Sequence, residues 1–88
     1  MRESTIESKC KVWAKGDGWL SYKFSSPNQR GVPDQLFIRD GLTVYIEFKA
    51  PSKLPTKYQL HTIEKMRSHG AEVYVIDNLE DFIDVMSR

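Results

Sequence analysis

The chain reads as an α/β protein, a three-layer sandwich whose mixed sheet is flanked by helices in the order α-β-β-β-α-β-α. Three observations predict this. Residues 34–49 carry two short apolar-alternating runs, Asp34 to Ile38 and Thr43 to Lys49, around Arg39-Asp40-Gly41-Leu42. An Asp-Gly pair between such runs is a strong hairpin signal. A helical period from Thr56 to Gly70 then leads into the apolar run Ala71 to Ile76, so a helix crosses from the hairpin to a further strand. Helical periods also open and close the chain.

Each element has its own warrant. From Ser4 to Lys15, Ile6, Cys10 and Trp13 recur at helical spacing, with Gly16 and Gly18 ending the run. Trp19 to Phe24 is aromatic and β-favouring, with Leu20, Tyr22 and Phe24 on one side. Residues 25–33, Ser-Ser-Pro-Asn-Gln-Arg-Gly-Val-Pro, are dense in turn formers and predict an exposed loop. In the hairpin, alternation puts Thr43, Tyr45, Glu47 and Lys49 on one face and Val44, Ile46 and Phe48 on the other. A one-residue slip would bury the charges, so the register is pinned. Ala50 to Pro55 breaks the strand. Thr56 is then the N-cap of a helix with Tyr58, Leu60, Ile63 and Met66 among its apolar positions, and Gly70 follows it as C′. Ala71 to Ile76 is apolar on both faces, as a buried strand is. Leu79 to Met86 closes the chain as a helix with Phe82, Ile83 and Met86 inward.

Eighty-eight residues, 40% hydrophobic and 28% charged, suit one soluble domain spanning 1–88. No run approaches the roughly 20 apolar residues of a membrane span, and the first residues lack the apolar core of a signal peptide. A place in the cytosol of whatever cell makes it is expected. Cys10 has no disulfide partner, and His61 and His69 complete no zinc pattern, which argues against a structural metal. The net charge of +1 conceals a basic body. Residues 1–70 hold twelve Lys/Arg against seven Asp/Glu, and residues 71–88 one against five. A basic body attracts phosphate backbones.

Hydrolysis of a phosphodiester needs charge neutralised on the phosphoryl oxygens, a water deprotonated in line, and a stabilised leaving alkoxide. Magnesium suits this, since it needs only one or two carboxylates beside the substrate phosphate. Asp34 and Glu47 offer the carboxylates, the Phe48 backbone carbonyl a third oxygen, and Lys49 a cation that orients the attacking water. An isolated Glu-x-Lys on a strand is ordinarily just a solvated pair; its position a hairpin's length after a Gly-x-Pro-Asp turn is what gives it weight.

The run Ser26-Pro27, Arg30-Gly31-Val32-Pro33-Asp34, then Ile46-Glu47-Phe48-Lys49-Ala50-Pro51, then Tyr58-Gln59 and a closing Gly70 resembles the VRR-NUC family of the PD-(D/E)xK nucleases, in its small stand-alone form. The resemblance covers nearly the whole chain. It implies a restriction-endonuclease-like fold, Asp34 and Glu47 as metal ligands, and Lys49 as the catalytic lysine. It also implies an acid on the first helix, matched by Glu7 with Glu3 second, and a glutamine near the site at Gln59. Gln59 equally fits a capping box with Thr56. Lys23, Arg30, Lys53 and Lys57 surround these motifs as candidate contacts to a DNA backbone. Tyr58 is expected to be half-buried and His61 at the surface.

The expectation is therefore a Mg2+-dependent endodeoxyribonuclease, with Mn2+ as a substitute and no small-molecule cofactor. Nothing in the sequence reads as a helix-turn-helix or finger, so shape and backbone are what it can read. By the resemblance, the substrate is branched DNA such as a Holliday junction, and the enzyme is a homodimer. Paired cuts on a two-fold junction need two sites, and one subunit offers one. Two other readings stay open: a nucleic-acid-binding or assembly module without turnover, and a nuclease subunit that a partner must target.

Overall fold

In the computed structural model, which describes residues 1–88, the elements follow the expected order. They are α1 (Glu3–Gly16), β1 (Leu20–Lys23), β2 (Gln35–Arg39), β3 (Leu42–Phe48), α2 (Lys57–Ser68), β4 (Glu72–Ile76) and α3 (Leu79–Met86). The strands form one sheet in the order β1-β2-β3-β4. β1, β2 and β3 run antiparallel as a meander, and α2 carries the chain across to β4, which lies parallel to β3. The fold is thus the mixed α/β arrangement that the sequence predicts.

The hairpin turns at Asp40 and Gly41, whose φ angles of 51° and 80° are those a type I′ turn requires. Pairing of Phe37 with Val44 and Gln35 with Ile46 sets these four side chains on one face, all fully buried. Ile6, Cys10 and Ala14 of α1 and Phe82 and Met86 of α3 cover that face, and with Trp19, Phe48 and Ile76 they make the core. Phe82 meets Trp13, Phe37 and Phe48 at centroid distances of 6.0, 5.2 and 6.0 Å, within the usual range for aromatic pairs.

Both α1 and α2 end as the sequence indicates. Gly18 and Gly70 adopt φ of 87° and 93°. The amides of Trp19 and Ala71 return to the carbonyls of Ala14 and Met66, closing two Schellman motifs. Arg39 locks the first of them to the hairpin: its Nη1 donates to the Asp17 carbonyl (2.9 Å) and carboxylate (2.6 Å), and its guanidinium lies 4.5 Å from the Trp19 ring.

The opposite face of the sheet is only partly covered, because α2 alone packs there. α2 turns Thr62 and Ile63 inward, while Tyr58 and Leu60 are 57% and 47% exposed. Tyr58 thus departs from the half-buried position expected. Its ring lies under Arg30 instead, 4.4 Å from the guanidinium carbon. Leu20 and Tyr22 of β1 also remain more than half exposed.

Candidate active site at the open end of the hairpin

β3 turns Glu47 away from the core, yet the carboxylate is buried, because the first turn of α2 lies against it. Continuing the β2–β3 pairing one step beyond Gln35 and Ile46 sets Asp34 opposite Glu47. The two carboxylates therefore leave the sheet on one side. The Asp34 carbonyl accepts from the Phe24 amide at 2.9 Å, tying it to the end of β1. Its Oδ1 is buried and has no hydrogen-bond partner.

Glu47 Oε2 is approached by two donors. Gln59 Nε2 donates to it at 3.1 Å, and Lys49 Nζ stands 3.6 Å away. The Lys49 amide donates to the Ile76 carbonyl at 2.9 Å, so its backbone belongs to the sheet even though its side chain reaches the site. Burial, then the neighbouring Asp34 charge, push the Glu47 acid up to about 7; Lys49 pulls the other way, and Glu3 adds a smaller upward push. The result is a buried carboxyl whose charged form is disfavoured, beside a buried carboxylate oxygen that has no hydrogen-bond partner.

Gln59 answers both of its sequence readings at once. Its Oε1 accepts from the Thr56 amide (2.9 Å) while Thr56 Oγ1 accepts from the Gln59 amide (3.1 Å), a complete capping box. The cap consumes the amide oxygen, so the NH2 group is the end left to face Glu47.

The loop before Asp34 is held against the same turn of α2. Gly31, at φ 81°, packs so closely that a Cβ there would lie 2.5 Å from the Tyr58 carbonyl oxygen. Thr62 Oγ1 donates to the Arg30 carbonyl at 3.0 Å. Gly31 and Thr62 were not singled out for these roles in the sequence. Thr62 is one helical turn after Gln59, the spacing that would have put both on the loop side of α2.

The remaining candidates are distributed as follows. Glu7 turns toward Lys23, 4.0 Å away; burial, with a smaller push from the Glu7 charge, raises the Cys10 thiol to about 12. Glu3, not Glu7, is the α1 acid whose charge reaches Glu47. No group of three or more His, Cys, Asp or Glu side chains converges closely enough to hold a metal. Phe48 buries its ring in the core and leaves its carbonyl between Glu47 and Lys49 in the chain. Lys23 lies on the face of Gln35, across the sheet from Glu47. Arg30, Lys53 and Lys57 are exposed and none pairs with a carboxylate.

No family model matches the chain. A relative from Acyrthosiphon pisum secondary endosymbiont phage 1, "Putative nuclease p44", is 38% identical over 79 residues, 89% of this chain and 85% of that protein. A solved structure described as a VRR_NUC domain superposes with a TM-score of 0.86 at 24% identity, over 98% of this chain and 97% of the other. The chain belongs to the small nuclease family of that phage protein, and its fold is that of the VRR_NUC domain.

Proposed function

We propose that the protein is a divalent-metal-dependent endodeoxyribonuclease that cuts branched DNA as a homodimer. The observation that carries this reading is the Glu47 carboxylate, gripped by Lys49 and Gln59 beside the buried, partnerless oxygen of Asp34. The donor set fits one hard cation: two carboxylates, with the Phe48 carbonyl as a further oxygen, match what Mg2+ or Mn2+ needs from a protein that also offers it a phosphate. When bound, such an ion neutralises the phosphoryl oxygens and lowers the pKa of a water.

The chain's own groups do the rest. Lys49 stabilises the negative charge on the attacking water and offsets part of the rise that burial and Asp34 impose on the Glu47 acid. Gln59 holds the Glu47 carboxylate in one orientation, and its amide is itself held by the Thr56 cap. Arg30 and Lys53 from the bordering loops and Lys57 from the first turn of α2 meet the DNA backbone, with Lys23 reaching it only from the other face of the sheet. Of the α1 acids, Glu3 acts on Glu47 at a distance, and Glu7 joins the metal shell only by leaving Lys23.

The test is cleavage of labelled four-way junction, flap and linear duplex in Mg2+, Mn2+ or EDTA, with Lys49→Ala alongside. Junction cleavage that needs the ion and falls at least a hundredfold in Lys49→Ala supports the reading. Binding that persists in EDTA, with Asp34→Asn equal to wild type and no turnover, replaces it with a binding module.

A further inference from the structure

The geometry points to a nucleobase pocket beside the proposed active site, one that takes a single unstacked base from the strand being cut. This inference rests on the nuclease reading. The pocket opens between α2, the 25–33 loop and the half-covered sheet face, with a volume of about 400 Å³. That lies within the range of roughly 300–1,000 Å³ typical of small-molecule sites. Its floor is Phe24, Tyr45 and Met66, and its rim is Gln29, His61 and Lys65. Phe24 and Tyr45 meet edge to face, centroids 5.8 Å apart.

Two features choose the occupant. Charge is one: no carboxylate lines the pocket, Lys65 makes no ion pair, and Lys57 and His61 continue the positive or polar stripe at four-residue spacing along α2. An apolar floor with aromatic edges under a cationic rim suits a base and its phosphate, in the manner of single-strand stacking sites. Continuity is the other. Tyr45 stands two residues before Glu47 on the same face of β3, about 7 Å away along the strand. In an intact duplex the bases are paired and stacked inside the helix, so a duplex laid on the site by its backbone keeps them out of the pocket. A nucleotide freed from the stack at a branch point can enter it. The pocket would thereby turn a preference for branched DNA into a contact made by named residues.

The experiment uses Lys49→Ala protein, full length, bound to four-way junctions carrying 5-iododeoxyuridine at successive positions within three nucleotides of the cut phosphate. After near-ultraviolet irradiation, the cross-linked peptide is mapped by mass spectrometry. One position is expected to cross-link to Tyr45, His61 or Met66 at five times the yield of its neighbours. Met66→Phe, which fills the floor, should abolish that cross-link. Lys65→Glu, at the exposed rim, should lower it at least fivefold and serves if Met66→Phe melts early. DNA that binds with even or absent cross-linking along the strand overturns the pocket and leaves the nuclease reading standing. Wild-type protein that neither binds nor cuts DNA overturns both.

Discussion

Glu47 is a carboxylate under opposed influences, and their balance is measurable. Burial and Asp34 raise its acid to about 7, against the lowering by Lys49. A raised acid stabilises the fold where it is protonated, and that stability is lost as pH climbs through the folded value. The metal-free protein should therefore gain on Glu47→Gln at pH 8, by up to about 3 kcal/mol from the 1.36 kcal/mol per unit rule, and much less at pH 5. Thermal melts of both proteins in EDTA check this; a variant less stable than wild type at pH 8 would contradict it. The same sign predicts that Mg2+ binding near pH 6.5 expels a proton, seen as a calorimetric heat that changes with the buffer's ionisation enthalpy. At Gln59, the cap and the site part company in two variants. Gln59→Glu keeps an acceptor for Thr56 but opposes Glu47, so it should retain most of its stability and lose activity tenfold or more. Gln59→Ala should lose both, with about 1 kcal/mol from the cap.

Among the elements, β2 holds the least comfortable residue. Gln35 is fully buried among the core residues, and neither its amide nitrogen nor its oxygen has a partner. Replacing both unmade bonds with an apolar chain of similar length removes a cost of about 1–3 kcal/mol. Gln35→Met should raise the midpoint of urea unfolding, and a lower midpoint would mean that the amide has a role the free protein conceals. Gly31→Ala runs the other way, since its Cβ would strike the Tyr58 carbonyl and its φ is positive. Melting should fall by several degrees, and cleavage by more than the melting loss implies.

These elements also show what the sequence could reveal. The Asp40-Gly41 turn, the Thr56–Gln59 cap and the glycines after α1 and α2 are local chemistry, each written within a few residues, and each stands where expected. The shared side of Glu47 and Lys49 was legible from alternation alone. The place of Tyr58 was not, because its partner Arg30 comes from a loop some 28 residues earlier that docks on α2. The pairing of Glu7 with Lys23 was hidden for the same reason: it joins α1 to the edge strand β1, and local patterning predicts each element but not their contact.

For the whole molecule, one face of the sheet carries two helices and the other carries one. Leu20 and Tyr22 stand exposed on the less covered face, at the edge strand farthest from α2. A homodimer would give the two sites that a two-fold junction requires, and light scattering should then return about 20 kDa, twice the 10.2 kDa chain. A single mass near 10 kDa with junction present would leave the paired cut unexplained. Junction affinity should also fall steeply between 50 and 200 mM salt, since exposed lysines and arginines meet phosphate by counterion release.

Gly31 joins these scales. Because the stretch that presents Asp34 leans directly on the turn that presents Gln59, heating that peels the one from the other would silence cutting while the sheet was still intact. Extra residues spliced in ahead of Arg30 would only lengthen a surface bow. A single residue added between Gly31 and Asp34 would swing the carboxylate out of reach of its neighbour, and the protein would remain folded with nothing to hold an ion.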